Sequence, residues 1–198
     1  MTYRSGLVMA ALTLGLAGLL GFAYSGVYPI GADVPHWKPV EAAITVFRDR
    51  AIRSHAKGVT VPKNLEGPEL IAMGAEHYNA MCVGCHLSPV QTDSEIRPGL
   101  YPQPPALSAN PIRDPAEAFW VIKHGIKLTA MPAWGPTHDD EEIWAMVAFL
   151  RKLPTLDAAA YRSLTGPDSE GESDHEHSDK AGNTPGAHET ATEHAHSH

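Results

Sequence analysis

From Ser5 to Ala32 the chain carries no charged residue, and Gly6 to Tyr28 is an apolar run of 23 residues relieved only by Thr13, Ser25 and two tyrosines. A bilayer core of about 30 Å takes roughly 20 helical residues to cross, so this run predicts a membrane-spanning helix. Its glycines (Gly6, Gly15, Gly18, Gly21, Gly26) would weaken a soluble helix but are tolerated in lipid. Tyr3, Tyr24 and Tyr28 fall near the two ends, where amphipathic rings favour the interface. Ala23-Tyr24-Ser25 also resembles a signal cleavage site, but a signal peptide carries an apolar stretch of only about 7 to 15 residues. The length favours a retained anchor. After a polar exit loop, Asp33 to Pro39, the stretch Val40 to Ala56 repeats Val40, Ala43, Ile44, Phe47 and Ala51 near one helical face. Arg48, Arg50, Arg53 and His55 lie alongside, a basic face suited to anionic headgroups or simply to solvent. Lys57 to Gly67 reads as loop.

A second helix-rich region begins at Pro68, which suits a first helical turn. Leu70, Met73, Gly74, His77, Tyr78 and Met81 recur at spacings of three and four and run directly into Cys82. Gly74 lies on that stripe without a side chain, which predicts a close helix crossing. Pro115 opens a short helix with Ala118, Phe119, Val121 and Ile122 as apolar cover, closing at His124-Gly125. Asp139, Asp140, Glu141 and Glu142 crowd the start of a last helix, where negative charge is favourable. That helix buries Ile143, Val147 and Leu150 and ends before Pro154. The pattern predicts an all-α chain in four segments: 1–32 anchor, 33–67 connector, 68–164 main domain and 165–198 tail.

The net charge of −8 is unevenly placed. Met1 to Leu164 holds 15 acidic and 14 basic residues, whereas eight acidic residues after it face Lys180 alone. Neither part offers the basic field that nucleic acid requires.

Only two cysteines occur, in Cys82-Val83-Gly84-Cys85-His86, and a C-x-x-C-H reads as covalent attachment of one c-type haem. Each thiol adds to one vinyl group, and the following imidazole faces the iron. A redox dithiol would want a βαβ context, and a structural zinc site usually wants four protein ligands, often two such pairs. A sixth iron ligand is then sought. Met131 stands 45 residues after His86 in Thr129-Ala130-Met131-Pro132-Ala133-Trp134-Gly135, an irregular segment where Pro132 biases its neighbour toward an extended backbone. Met73, Met81 and Met146 lie on helices, while His124 and His138 are the competing ligands. Arg97 to Leu107 is too proline-rich for a regular element and suits a wrap around a macrocycle edge, with Arg97 and Tyr101 as candidate propionate donors and Lys123 or Lys127 behind them.

These pieces resemble the class I cytochrome c family, in particular its membrane-anchored monohaem members. The resemblance covers Leu70 to Leu153. It rests on Met81 to His86, the helix end Phe119 to Gly125, Met131-Pro132-Ala133-Trp134, and a terminal helix through Ile143, Trp144, Val147 and Phe149. It implies a class I cytochrome c fold, a haem held by Cys82 and Cys85, proximal His86 and distal Met131. It also implies first and last helices that cross beside the haem, with Gly74 and Tyr78 meeting Trp144, Val147 and Ala148. Because thioether attachment is extracytoplasmic in bacteria, the domain is expected on the periplasmic side of the inner membrane. The function implied is one-electron transfer between redox protein partners, in a respiratory chain or with a periplasmic dehydrogenase, and not an enzyme activity of its own. A haem peroxidase is the alternative, for which no distal acid/base pair stands out.

From Thr165 the chain is Gly, Pro, Ser, Asp, Glu and His with almost no apolar content, which predicts disorder. Six of the twelve histidines fall there: His175, His177, His188, His194, His196 and His198. Such tracts bind copper, nickel or zinc, or serve as solubilising tails. A metal-handling module through this tail is the third functional reading.

Overall fold

The computed structural model describes residues 2 to 166, so the expected disorder and metal binding of the tail lie outside the described residues. Those residues form α1 (Thr2–Ser25), α2 (Lys38–Ala56), α3 (Pro68–Met81), α4 (Val83–His86), α5 (Pro115–His124), α6 (Asp140–Lys152) and α7 (Ala158–Thr165). Short 3-10 turns sit at Arg97–Gly99 and Leu153–Thr155, and no strand occurs among the described residues. The helix starts are chemically marked. Proline occupies the first turn of α2, α3 and α5, where a missing N–H costs nothing. The Asp114 carboxylate accepts from the Ala116 and Glu117 amides, and Asp139 caps α6 while Glu142 bonds back to the Asp139 N–H. The acidic cluster at 139–142 is thus capping chemistry.

The core is built where α3 crosses α6. A β-carbon on Gly74 would lie 1.9 Å from the Ala145 carbonyl oxygen and 2.9 Å from the Phe149 Cβ, so only glycine permits this approach. The expected crossing is present, and Gly74 lies against Ala145 and Phe149 in it. The ring of Tyr78 packs on Phe149 at 5.3 Å between centroids. All eight residues from Ile143 to Leu150 are buried, where one apolar stripe was expected. The helix is enclosed: Trp144 stacks on Phe119 of α5 at 4.3 Å, and Phe149 meets Tyr161 of α7 at 6.1 Å. Helix α7 itself was not anticipated. Its Tyr161 is fully buried and donates its hydroxyl to Asn79 Oδ1 on α3 at 3.1 Å.

Helix α1 touches none of this core. Its span Tyr3–Ser25 contains an 18-residue stretch with a mean hydropathy of 2.0 and no buried residue, and is long and apolar enough to cross a membrane. The Thr13 hydroxyl bonds to the Met9 carbonyl at 2.9 Å, so this polar group is satisfied within the helix. At its exit, Tyr28 packs against Phe22 and Trp37 and donates its hydroxyl to, or accepts from, His36 Nδ1 at 2.8 Å. Helix α2 then packs on α5, and His55 lies against Trp120 at 5.2 Å. Its more enclosed positions are Val40, Glu41, Thr45, Arg48, Asp49, Ala51, Ile52 and Ala56, so the two ends of the apolar stripe are half-buried and its middle (Ala43, Ile44, Phe47) is exposed.

Candidate functional site

The site grows from the end of α3. Cys82 closes that helix with its N–H on the Tyr78 carbonyl, and one further turn, α4, carries Val83, Gly84, Cys85 and His86. The Cys85 and His86 amides both bond to the Cys82 carbonyl, at 3.1 and 2.8 Å, which holds the two thiols and the imidazole on one compact turn. Leu87 then reverses the chain with φ of 61°, a left-handed conformation uncommon for a branched residue. Two contacts hold it there: its side chain is buried, and its carbonyl accepts the Tyr78 hydroxyl at 2.6 Å.

His86 is oriented by the proline-rich segment. Its Nδ1 lies 2.9 Å from the Pro105 carbonyl, while its own carbonyl accepts the Leu107 N–H at 3.0 Å. A carbonyl can only accept, so Nδ1 carries the proton and Nε2 keeps its lone pair. Burial holds the imidazole pKa below its ordinary value, with the positive Arg97 nearby acting in the same direction against the Pro105 bond. The ring is therefore held in its neutral form at neutral pH. Burial, with Cys85 beside it, pushes the Cys82 thiol up to about 12, so this sulfur stays protonated at neutral pH.

Arg97 reaches the same carbonyl run: its Nη2 donates to the Pro104 oxygen at 2.8 Å, one residue before the partner of His86. Its Nε is buried without a hydrogen-bond partner. A buried unpaired donor costs about 1–3 kcal/mol, so this atom asks for an acceptor, and an anionic carboxylate suits it. The Tyr101 hydroxyl accepts the His36 N–H at 3.2 Å and its ring meets the His36 ring at 5.2 Å, tying the proline-rich segment to the exit of α1.

Met131 lies in a loop stitched to the end of α5. The Trp134 and Gly135 amides bond to the Ile122 and Lys123 carbonyls, each at 3.0 Å, and the Ile126 N–H bonds to the Met131 carbonyl at 3.1 Å. Gly125, with φ of 65°, makes room: a β-carbon there would lie 2.6 Å from the Pro132 carbonyl carbon and 2.8 Å from the Met131 oxygen. Met131 is half-buried against the apolar cluster that also borders Cys82, Val83 and Leu107. The competing histidines have other company. His124 is exposed against Trp120, and His138 bonds to the Thr137 hydroxyl at 2.9 Å beside His77. Lys123 pairs with Asp140 and lies over the Phe119 ring. Among the described residues no cluster of three or more His, Cys, Asp or Glu side chains is arranged to hold a metal by itself.

The donor set fits a haem: two thiols on one turn, a neutral imidazole with a free Nε2, a half-buried thioether, and a buried guanidinium nitrogen lacking an acceptor. The profile of the family described as cytochrome C oxidase, cbb3-type, subunit III matches residues 69–150. That match supports a broad cytochrome, electron-transfer family. It spans α3 to α6 but less than half of the chain. No curated protein and no solved structure matches. The family described is a subunit of a larger oxidoreductase, in keeping with an electron-transfer component that is not an enzyme by itself. The sequence reading of the site omitted the carbonyls of Pro104 and Pro105, because backbone acceptors leave no residue-type signal.

Proposed function

We propose that this chain is a single-pass, membrane-anchored monohaem cytochrome c that passes single electrons between respiratory redox partners on the periplasmic side of the inner membrane. The observation that carries the reading is the His86 tautomer, fixed by Pro105 on the turn that also bears both thiols. Cys82 and Cys85 would hold the porphyrin through thioethers, His86 Nε2 and the Met131 sulfur would ligate iron, and Arg97 would meet a propionate. The bound haem supplies a ferric/ferrous couple. The chain's own residues supply the rest. Pro105 keeps the His86 proton on Nδ1, so the imidazole stays neutral and fixed whatever the oxidation state. The Thr129 hydroxyl accepts the Met131 N–H at 3.1 Å and donates to the Ile126 carbonyl, holding the loop from which the thioether is presented. Leu107, like Met131, Cys82 and Val83, packs against the apolar cluster that contains Phe119.

Tyr101 would be the second propionate donor, since its hydroxyl, while accepting the His36 N–H, retains a proton for a further acceptor. The deciding experiment is an optical spectrum of the membrane-extracted protein in both oxidation states. A c-type spectrum with the long-wavelength thioether-to-iron band in the ferric form supports the ligand set. Absence of haem, or a spectrum showing an open or bis-histidine iron, overturns it.

A further inference from the structure

Helix α2 has two faces with different fates. Glu41, Thr45, Ile52 and Ala56 lie on its more enclosed side, and the helix packs on α5, whereas Ile44 and Phe47 are 47% and 76% exposed. With Ala43 they form a stripe at spacings of one, three and four, and Val40 and Ala51 extend it at both ends. Nothing among the described residues covers its middle. Such a stripe on a solvated helix loses the benefit of burial, so its occupant has to come from outside the domain.

The flanking chemistry points to one occupant. Lys38 pairs with Glu41 and Arg48 with Asp49, but neither Arg50 nor Arg53 has a carboxylate partner among the described residues, and both are exposed. By helical spacing Arg50 borders the stripe, with Arg53 one turn further round the same flank. The helix also starts at the membrane boundary. Only the short segment 26–37 separates it from α1, and the aromatic contacts of Phe22, Tyr28 and Trp37 fasten that segment to the top of the span. An apolar stripe edged by arginines without carboxylate partners (the Arg53 Nε donates to the Asp49 carbonyl at 3.0 Å), continuous with a membrane-spanning helix, has the composition of a helix lying in the lipid headgroup region.

We propose that α2 is an interfacial foot: Ile44 and Phe47 insert into the bilayer surface, Arg50 and Arg53 meet anionic headgroups, and the face toward α5 carries the main domain. The proposal rests on the reading of α1 as a membrane span and on nothing in the haem site. It gives the domain a defined height and orientation above the lipid, which a flexible tether would not.

Photo-crosslinking of the full-length chain in its native membranes tests it. A benzophenone amino acid is placed in turn at position 16 within α1 and at positions 44 and 47, and the adducts are identified by mass spectrometry. The expected result is lipid adducts at all three positions. Arg50→Gln with Arg53→Gln should lower the yield of anionic-lipid adducts at 44 and 47 and leave position 16 unchanged. Lipid at 16 with protein adducts at 44 and 47 would overturn the foot and assign the stripe to a partner subunit. Lipid at 16 with no adduct at 44 and 47 would overturn it in favour of open solvent. No lipid adduct at 16 would remove the anchor reading and the foot together.

Discussion

The imidazole of His86 owes its tautomer to one carbonyl, and a turn that closes a helix gathers the two thiols beside it. At this scale the ligand set makes direct predictions. Met131→Ala should abolish the thioether-to-iron band and lower the reduction potential, because a thioether stabilises the reduced iron relative to most replacements. An unchanged band and potential in a redox titration would remove Met131 from the iron. A second prediction concerns Tyr161, whose hydroxyl burial pushes up to about 12 from 10.0. The unfolded chain then releases this proton before the folded one does. Its contribution to stability is whole below pH 10 and falls as pH rises from there through 12. Tyr161→Phe should cost about 1 kcal/mol at neutral pH through the lost bond to Asn79, and should flatten the alkaline decline. Urea unfolding between pH 8 and 11 measures both.

At the scale of elements, the α3/α6 crossing holds the site in place, since the thiols and His86 hang from the end of α3. Gly74→Ala forces the two helices apart, as its β-carbon has nowhere to go but the Ala145 carbonyl. Overpacking against backbone should cost about 3 kcal/mol or more, read as a lower midpoint in chemical denaturation. Periodicity made α1, α2, α3, α5 and α6 legible within two or three residues at most of their ends, and Gly74 announced the crossing. Other features carried no such signal. Helix α7 is short and has one large apolar anchor, Tyr161, which reads like any tyrosine before a polar tail. The full burial of α6 depends on neighbours from three directions, which one helix's own pattern does not encode. The exposure of Ile44 and Phe47 likewise depends on where neighbouring elements sit, which the pattern of α2 alone does not encode. In the site, residue types marked the thiols, His86 and Met131 as candidates, while the carbonyls of Pro104 and Pro105 and the contact of Tyr101 with His36 arise only from the folded chain path and leave no residue-type signal.

Over the whole molecule, one apolar helix, one amphipathic helix and one compact helical domain follow each other outward along the chain. The core cluster draws no residue from α1, so anchoring and folding are separable. Carbonate washing should leave the protein in the membrane pellet. Replacing residues 2–25 by a cleavable signal should release a domain with its absorption spectrum unchanged. Release of the full-length chain by carbonate would contradict the anchor, and a disturbed spectrum after its removal would contradict the separation.

The central claim, a haem bound covalently by this turn, is tested most directly by mass spectrometry of the peptide spanning Cys82 to His86, from protein made in cells that mature c-type cytochromes. The account predicts a peptide heavier by one haem, with neither cysteine open to alkylation. A peptide of unmodified mass with both thiols alkylated would contradict it.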